Sequence, residues 1–390
     1  MITYSRQNVS FLDAFRVAWQ VKFKSLTQGE KIREFEFKVA EYVGARYAVA
    51  VSSGTAGLHL AHLALGHPEG ANVVTSPISF VATANSIIYA SQNPIFVDIE
   101  LNSGNLSVEE LRKTIETLDV KTIVPVHYAG TPCDMKKIYE IAKNKRINII
   151  EDAAHALGGY YESGEKIGSC NFSDMTVFSF HPVKSITTGE GGIITTNDEH
   201  LYKKLLQLRT HGIHKNEYEF EEKFIAYTDR IPNTWYYEMN MLGYHYRMTD
   251  IQAALGCSQM NKLDKFMRKR RKLATRYNEL LINLKNIKLL SRNSISKSAN
   301  HLYPILINFE KIKYSRNELM LKLKKSKITT QVHYIPIPMH PFYRSRSYTM
   351  DNLPNALNFY FSVLSIPIHP GLTQSQQLKV IKNLKNLISE

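Results

Sequence analysis

The chain has 390 residues, of which 44% are hydrophobic and 22% charged, a composition typical of globular proteins and a length that allows one large and one smaller core. Much of the net charge of +14 lies in segments such as 268–272 and 322–327. Such segments are typical of solvated helix faces, and they could also attract an anionic substrate. The sequence has no zinc-finger spacing, RNA-binding aromatic signature or basic tail, so we do not expect a nucleic-acid partner. No apolar run is long enough to span a membrane, and three widely spaced cysteines match neither a disulfide framework nor a zinc site, so we expect a cytoplasmic protein.

The first elements predicted along the chain are an arm over residues 1–10 and helices over 11–23 and 30–43, separated by a turn at 27–29. From residue 47 onward, strands and helix-length segments alternate. The strands are predicted to end at Ser52, Thr75, Val97, Val126 and Ile150. This alternation predicts an α/β fold with a mostly parallel sheet and helices on both faces.

Small and polar residues follow the first of these strands. Gly54 and Thr55 open an apolar helical segment, so their backbone N–H groups are expected to face an anion such as a phosphate. After the next strand, Phe80 is an aromatic residue at the mouth of the same edge, where a flat ring could stack on it. The ordinary alternatives are a simple helix N-cap for Thr55 and a core position for Phe80.

Two further strand ends carry ionisable side chains. Residues 147–152 form a short apolar strand that ends in Glu151 and Asp152. Residues 175–180 form another, and Pro182 ends its ladder just before Lys184, which hydroxyl groups and glycines surround. Such a lysine can be desolvated and acquire the lowered pKa of a Schiff-base lysine, although a lysine that reaches solvent from a strand edge is the alternative.

These features together predict a cofactor site. Parallel sheets bind ligands beyond the carboxyl ends of their strands. Pyridoxal phosphate requires a lysine, a carboxylate for its ring nitrogen, a phosphate cradle and a flat group against its ring. Lys184, Asp152, the Gly54 turn and Phe80 supply these in order along the chain, so we expect this cofactor.

The rest of the chain is predicted to contain a strand at 193–196, a helix at 199–209, a long functional loop at 211–242 and a long helix that begins near Asp250. Beyond it, a strand at 301–309, a helix capped by Ser315 and Glu318, and a strand at 328–334 predict a small α+β domain. We therefore expect a large domain over residues 1–255 and a smaller one over 256–390.

The motifs SSGTAGLHL, FVATANS, VHYAG, EDAAHALG and SFHPVKSITTGEGG resemble those of the DegT-type sugar-nucleotide aminotransferases, and the resemblance spans nearly the whole chain. It implies the aspartate-aminotransferase-like fold, known as fold type I, and a transaminase that uses pyridoxal 5′-phosphate. Relatives that catalyse dehydration carry histidine in place of Lys184, which counts against that class. A non-catalytic cofactor-binding regulator would tolerate loss of Lys184 or Asp152 and would carry an added DNA-binding segment. The presence of both residues therefore counts against that class as well.

The resemblance also implies roles for individual residues. Lys184 would form the Schiff base, Asp152 would bind the ring nitrogen and His155 would lie near the ring hydroxyl. The phosphate would be bound by Gly54, Thr55 and Ser179, with Phe80 against the ring.

In the family, the motif after residue 243 reaches the cofactor phosphate of the neighbouring subunit, which implies a homodimer with shared active sites. The residue that often makes this contact is asparagine, but here it is His245. The contact therefore belongs to His245 or passes to Arg247, whose alternative role is a surface ion pair.

Within the family, residues 2–8, 301–306 and 331–334 resemble the branch that makes UDP-4-amino-4,6-dideoxy-N-acetyl-β-L-altrosamine for pseudaminic acid. This implies a UDP-linked 4-keto sugar as acceptor, L-glutamate as donor and 2-oxoglutarate as product. Thr27 and His333 are candidate substrate contacts, with loop packing as the alternative for His333. The alternative function is amination of another nucleotide-linked keto-deoxysugar, such as the bacillosamine-type ketone.

Overall fold

A seven-stranded sheet forms the centre of the computed structural model, which describes residues 1–215, 220–290 and 297–389. Its strands are β1 (Tyr47–Val51), β2 (Asn72–Thr75), β3 (Asn93–Phe96), β4 (Val120–Val124), β5 (Asn148–Asp152), β6 (Met175–Ser179) and β7 (Gly192–Thr196). The spatial order is β1-β7-β6-β5-β4-β2-β3. Strand β7 runs antiparallel to β1 and β6, and the other pairs are parallel. The predicted mostly parallel sheet is confirmed.

Helices cover both faces of this sheet. They are α1 (Phe11–Phe23), α2 (Glu30–Val43), α3 (Gly54–Leu65), α4 (Ala82–Tyr89), α5 (Val108–Thr117), α6 (Met135–Lys145) and α7 (Glu199–Arg209). Neighbouring residues of one strand enter different cores: Val177 packs with α3 and α7, whereas Phe178 packs with α2. This follows from the alternation of side chains along a strand, and it makes the strands apolar on both faces.

Local signals explain where several helices begin and end. Ser10 and Asp13 form a capping box at the start of α1, and Ser53 caps α3 by accepting a hydrogen bond from the N–H of Ala56. Helix α2 ends at Gly44, whose φ of +83° is a left-handed conformation that glycine adopts without steric cost. Helices α1 and α2 begin and end where the sequence predicts, and α3 begins at the predicted Gly54.

The segment predicted as a long loop contains short regular elements in its described part. They are β8 (Ile213–His214), α8 (Lys223–Ala226), β9 (Tyr227–Thr228), β10 (Ile231–Pro232) and β11 (Glu238–Met239). Strand β9 pairs with β10, and β8 pairs with β11, both antiparallel. Two-residue strands leave no periodicity to detect, so the sequence does not reveal them.

The C-terminal part adds a three-stranded antiparallel sheet in the order β12-β13-β14. Its elements are α9 (Asp250–Met260), α10 (Leu263–Leu281), β12 (Ile287–Leu289), β13 (Tyr303–Ile307), α11 (Arg316–Lys325), α12 (Pro341–Arg344), α13 (Pro354–Ser362), β14 (Val363–Ile366) and α14 (Gln374–Ser389). The predicted strand at 301–309 is confirmed as β13, and the Ser315–Glu318 capping box begins α11 as predicted.

The prediction of a strand at residues 328–334 is wrong. This segment is extended, but its recorded pairings are single bridges, from Ile328 to Ile2 and from Gln331 to Ser365. Each neighbouring segment of the chain pairs with 328–334 at a single residue, so no continuous ladder of strand hydrogen bonds forms. The β-branched residues of the segment nevertheless favour an extended backbone.

Helix α10 connects the two cores. Its first turns, including Leu263 and Met267, pack in the core of the large sheet, whereas Tyr277 and Leu281 pack with the small sheet. Ile2 of the N-terminal arm also packs in the small core. The domain boundary at residues 255 and 256 stays a prediction. Among the described helices, none combines the length and hydrophobicity that crossing a bilayer requires.

Candidate active site

A cavity of about 760 Å³ lies at the carboxyl ends of strands β1, β5 and β6. It is lined by most of the residues predicted for the site, namely Gly54, Thr55, Phe80, Asp152, His155, Ser179, Lys184 and His333. These residues come from separate parts of the sequence, and the sheet brings them to one edge. The cavity also has walls from the C-terminal part of the chain, including His301 and Gln331.

Lys184 lies in the tight turn that follows β6. The turn is closed by a hydrogen bond from the N–H of Lys184 to the carbonyl of His181, 2.9 Å long. From the N-terminal arm, Ser5 donates its hydroxyl to the carbonyl of Val183 at 3.0 Å. Burial lowers the pKa of Lys184 to about 8, while the negative charge of Asp152 acts in the opposite direction. A substantial fraction of neutral amine is therefore present near neutral pH.

Asp152 is the last residue of β5, and its carboxylate faces the cavity. One oxygen accepts a hydrogen bond from the hydroxyl of Thr83 at 2.6 Å, and the other accepts from the N–H of Ala154 at 3.1 Å. The side chain is thus held in one orientation by a neutral hydroxyl and a backbone donor. The carboxylate can therefore pair with a cationic group of a ligand.

The N-terminus of α3 approaches the end of β6 closely. A Cβ atom at Gly54 would lie 2.9 Å from the Cβ of Ser179, so glycine is required for this packing. The first turn of α3 lies on the cavity wall together with the hydroxyl-bearing Thr55 and Ser179. A helix N-terminus with adjacent hydroxyl groups suits a phosphate, as the sequence predicts for these residues.

His155 and Tyr334 form a pair on another wall. The hydroxyl of Tyr334 lies 3.0 Å from Nε2 of His155, and the two rings are nearly parallel with centroids 6.0 Å apart. Phe80 is 58% exposed, and its ring centroid lies 6.3 Å from that of Tyr334. Nδ1 of His155 is buried without a hydrogen-bond partner in the structure, so it is available to a polar group of a ligand.

Two more histidines surround Lys184. His301 lies against His155, with ring centroids 4.5 Å apart, and Nδ1 of His333 lies 2.9 Å from the hydroxyl of Ser365. Burial and the nearby charge of Lys184 lower the pKa of His333 to about 3, and burial places the pKa values of His155 and His301 well below the usual range. All three rings are therefore neutral at physiological pH.

Thr83, His301 and Tyr334 are site residues that the sequence does not assign individually. Thr83 follows Ser79 by four residues, and a pair of hydroxyls at this spacing at a helix start is a weak signal of one polar face. His301 and Tyr334 lie in segments that carry the family resemblance, but their sequence patterns indicate no chemical role.

Three predicted residues lie outside this cavity. Thr27 pairs with Thr249, His245 pairs with Thr210, and Arg247 pairs with Val51 through isolated β-bridges. Arg247 lines a second cavity, together with other cationic residues, namely Arg33, Arg46, Lys203 and Arg209. Within one chain, therefore, these three side chains do not contribute to the walls around Lys184.

The donor set of the first cavity fits pyridoxal 5′-phosphate. It combines a lysine with a lowered pKa, a carboxylate with a fixed orientation, a helix N-terminus that glycine brings close to β6, and an unpartnered imidazole nitrogen. Each of these matches one polar or reactive group of this cofactor.

Comparisons with known proteins identify the family. The model of the DegT/DnrJ/EryC1/StrS aminotransferase family matches residues 12–385. An uncharacterised protein of Methanocaldococcus jannaschii is 41% identical over 366 residues, which cover 94% of this chain and 92% of that protein. A UDP-4-amino-4,6-dideoxy-N-acetyl-β-L-altrosamine transaminase of Campylobacter jejuni is 37% identical over 390 residues, covering 100% of this chain and 96% of the relative.

The solved structures agree with the sequence relatives. Helicobacter pylori PseC, an aminotransferase involved in the biosynthesis of pseudaminic acid, superimposes with a TM-score of 0.90 at 30% identity, covering 100% of this chain and 99% of PseC. The fold type predicted from the sequence is therefore confirmed. The chain belongs to the DegT/DnrJ/EryC1/StrS aminotransferase family, whose aminotransferases use pyridoxal 5′-phosphate, and the prediction of an aminotransferase with this cofactor is confirmed.

Proposed function

We propose that the protein transfers the amino group of L-glutamate to C4 of UDP-2-acetamido-2,6-dideoxy-β-L-arabino-hex-4-ulose in pseudaminic acid biosynthesis. The observation that carries this proposal is that Lys184, with its lowered pKa, and the buried carboxylate of Asp152 line the same cavity. The similarity to the Campylobacter jejuni transaminase over the whole chain supports the choice of sugar.

Lys184 is the base in this mechanism. Bound pyridoxal phosphate supplies an aldehyde carbon that takes up the amino group and a ring that accepts electrons. The neutral amine of Lys184 can accept the proton of the donor's Cα at Nζ and then release it. A pKa near 8 suits this role, because general bases work best when their pKa lies near the operating pH. The same amine serves in reverse when the ketone of the sugar is aminated, which predicts ping-pong kinetics.

Asp152 and the residues around it hold and orient the cofactor. The carboxylate, fixed by Thr83 and the N–H of Ala154, would bind the protonated ring nitrogen. Gly54 at the start of α3 would bring backbone N–H groups to the phosphate. Nδ1 of His155 would meet the ring hydroxyl, because Nε2 is already paired with Tyr334.

The cavity has room for the sugar as well as the cofactor. Its volume of about 760 Å³ lies within the range of small-molecule sites. Gln331, His333 and His340 supply polar groups on the wall from the C-terminal part of the chain, and Tyr4 lies beside His333 with ring centroids 5.6 Å apart. Such a mixture of aromatic and polar groups suits a hexose with hydroxyl, amide and keto groups.

We also infer a homodimer with shared active sites. Four aromatic residues of α1 are exposed by half or more, namely Phe11, Phe15, Trp19 and Phe23. Trp235 and Leu242, in the segment between α7 and α9, are 72% and 77% exposed. Exposed apolar surface of this extent supports a protein partner. The positions of His245 and Arg247 outside the cavity are those expected of residues that serve a neighbouring subunit.

We place the protein in the cytoplasm. Cys133, Cys170 and Cys257 are free thiols, and all three are buried. Unpaired cysteines in a protein of this size support a reducing compartment.

The test is to supply the purified protein with L-glutamate and each of the two C5-epimeric 4-keto sugars, and to measure release of 2-oxoglutarate. We expect turnover with the L-arabino ketone and none with Lys184→Ala under the same conditions. Turnover with the D-configured ketone alone would reject the pseudaminic acid assignment in favour of a bacillosamine-type substrate. Turnover with neither ketone would reject both sugars.

A further inference from the structure

Glu151 precedes Asp152 on β5 and is fully buried. Consecutive residues of a strand point to opposite faces. The side chain of Asp152 therefore reaches the cavity, whereas that of Glu151 enters the protein interior behind it. A buried carboxylate directly behind the proposed cofactor partner has no role in the mechanism described above.

Neutral donors surround the carboxylate of Glu151. His127 Nε2 lies at 2.7 Å, the hydroxyl of Tyr161 at 2.8 Å from both oxygens, and that of Thr176 at 2.9 Å, and the hydroxyl of Ser173 donates to the same group. Among the described residues, the ion-pair geometry recorded for Glu151 is the one with His127. The charge state of His127 thus determines whether this group of side chains carries a net charge.

The imidazole of His127 is neutral. Its Nδ1 accepts a hydrogen bond from the backbone N–H of Cys133 at 3.0 Å, so Nδ1 carries no proton. The single ring proton therefore lies on Nε2, from which it is donated to Glu151. His127 thus supplies a hydrogen bond to Glu151 without a compensating positive charge.

Glu151 itself is ionised. Burial favours the protonated form, but the N–H of His127 and the hydroxyls of Tyr161, Ser173 and Thr176 all donate hydrogen bonds to its two oxygens, and donors of this number stabilise the carboxylate. The interior behind Asp152 therefore contains an uncompensated negative charge. Such a charge acts over several ångströms, because the protein interior screens it weakly.

The same residues connect Glu151 to Asp152 through the backbone. The N–H of His127 donates to the carbonyl of Asp152 at 3.1 Å, and the N–H of Asp152 donates to the carbonyl of Pro125 at 3.0 Å. On the next strand, Thr176 is paired in register with Glu151. The relative position of the two carboxylates is therefore fixed.

We propose that Glu151 is a positioning residue whose buried negative charge reinforces Asp152 and raises the proton affinity of the cofactor's ring nitrogen. This inference rests on the proposed function, in which Asp152 binds that nitrogen. At an effective dielectric of about 20 and a separation on the order of 10 Å between Glu151 and the ring nitrogen, the charge of Glu151 would raise the ring-nitrogen pKa by on the order of one pH unit.

The experiment measures the ¹⁵N resonance of ring-labelled pyridoxal phosphate in the holoenzyme as a function of pH. In Glu151→Gln, the ring nitrogen should lose its proton about one pH unit lower than in the wild type. Thr176→Val, which removes one hydrogen bond but keeps the charge, should titrate as the wild type does. An unchanged titration in Glu151→Gln, or an equal shift in Thr176→Val, would overturn the proposal.

Asp152→Asn separates the two levels of the argument. A large shift in this variant together with none in Glu151→Gln would reject the role of Glu151 and keep that of Asp152. If Asp152→Asn also leaves the resonance unchanged, Asp152 does not bind the ring nitrogen, and the proposed arrangement of the cofactor fails with it.

A pair of double variants tests the charge independently of the comparison between Glu151→Gln and the wild type. Glu151→Gln with Thr176→Asp returns a carboxylate to the same buried group from the facing strand, whereas Glu151→Gln with Thr176→Asn has nearly the same volume without the charge. The aspartate variant should titrate about one pH unit above the asparagine variant. Equal titrations of the two would contradict a role for the charge.

Discussion

The hydroxyl of Thr83 donates a hydrogen bond of 2.6 Å to the carboxylate of Asp152, although the two residues are 69 positions apart in the sequence. The hydroxyl of Ser79 lies 2.6 Å from the same Thr83 oxygen. Because the Thr83 hydroxyl has one proton, which goes to the carboxylate, Ser79 is the donor of the second bond. A relay of two hydroxyls from the start of α4 thus orients Asp152.

We expect Thr83→Val to weaken cofactor binding, because the carboxylate loses the donor that orients it. The loss of a buried hydrogen bond to a charged group corresponds to about 1–3 kcal/mol, which lowers the affinity for pyridoxal phosphate by roughly 5-fold to 150-fold. The measurement is titration of the apo-protein with the cofactor. Thr83→Ser keeps the hydroxyl and should bind nearly as the wild type does, whereas wild-type affinity in Thr83→Val would show that the relay has no role.

The second prediction concerns Lys184. We expect Lys184→Ala to lose all measurable turnover and the visible absorbance of the covalently held cofactor, because Lys184 supplies the amine at the cavity. The measurements are 2-oxoglutarate release and an absorbance spectrum of the reconstituted protein. A matched control is Lys113→Ala, which removes an exposed lysine paired with Glu110 on α5 and should leave both unchanged. Residual turnover in Lys184→Ala would assign the chemistry to another group.

The third prediction is a pH dependence of cofactor capture. The neutral amine is the nucleophile, and burial lowers the pKa of Lys184 to about 8. The rate at which apo-protein captures pyridoxal phosphate should therefore rise about tenfold per pH unit below pH 8 and level off above it. Stopped-flow absorbance measures this rate. A rate that continues to rise to the pKa of an exposed lysine, 10.5, would show that Lys184 is not desolvated.

The sequence predicts one part of the site because local patterns determine it. Asp152 ends β5 and Lys184 lies in the turn after β6. Parallel strands bring their carboxyl ends to one edge of a sheet, so the cavity follows from the order of the elements. The Gly54 turn is recognisable for the same reason, as a strand end followed by a helix start.

The other part depends on tertiary packing, which leaves no local pattern. Tyr334 reaches His155 across 179 residues, on an extended segment that pairs at isolated positions rather than as the strand predicted there. His301 reaches the cavity from the segment just before β13. Neither position is marked by periodicity, capping or turn residues, so propensity alone does not place these side chains beside Lys184.

The last prediction tests the shared active site. Arg247 lies outside the cavity that contains Lys184 in its own chain, so in the proposed dimer it serves the partner's cofactor phosphate. We expect Lys184→Ala and Arg247→Ala each to be nearly inactive when pure. In a mixed dimer, one of the two sites combines the intact lysine of one chain with the intact arginine of the other. Because half of the dimers in an equal mixture are mixed, turnover should recover to about a quarter of the wild-type level per site.

Subunit exchange is confirmed with two affinity tags, and a mixture of two Lys184→Ala preparations is the control. Confirmed exchange without recovery would show that Arg247 serves its own chain, and high activity of pure Arg247→Ala would remove it from the site.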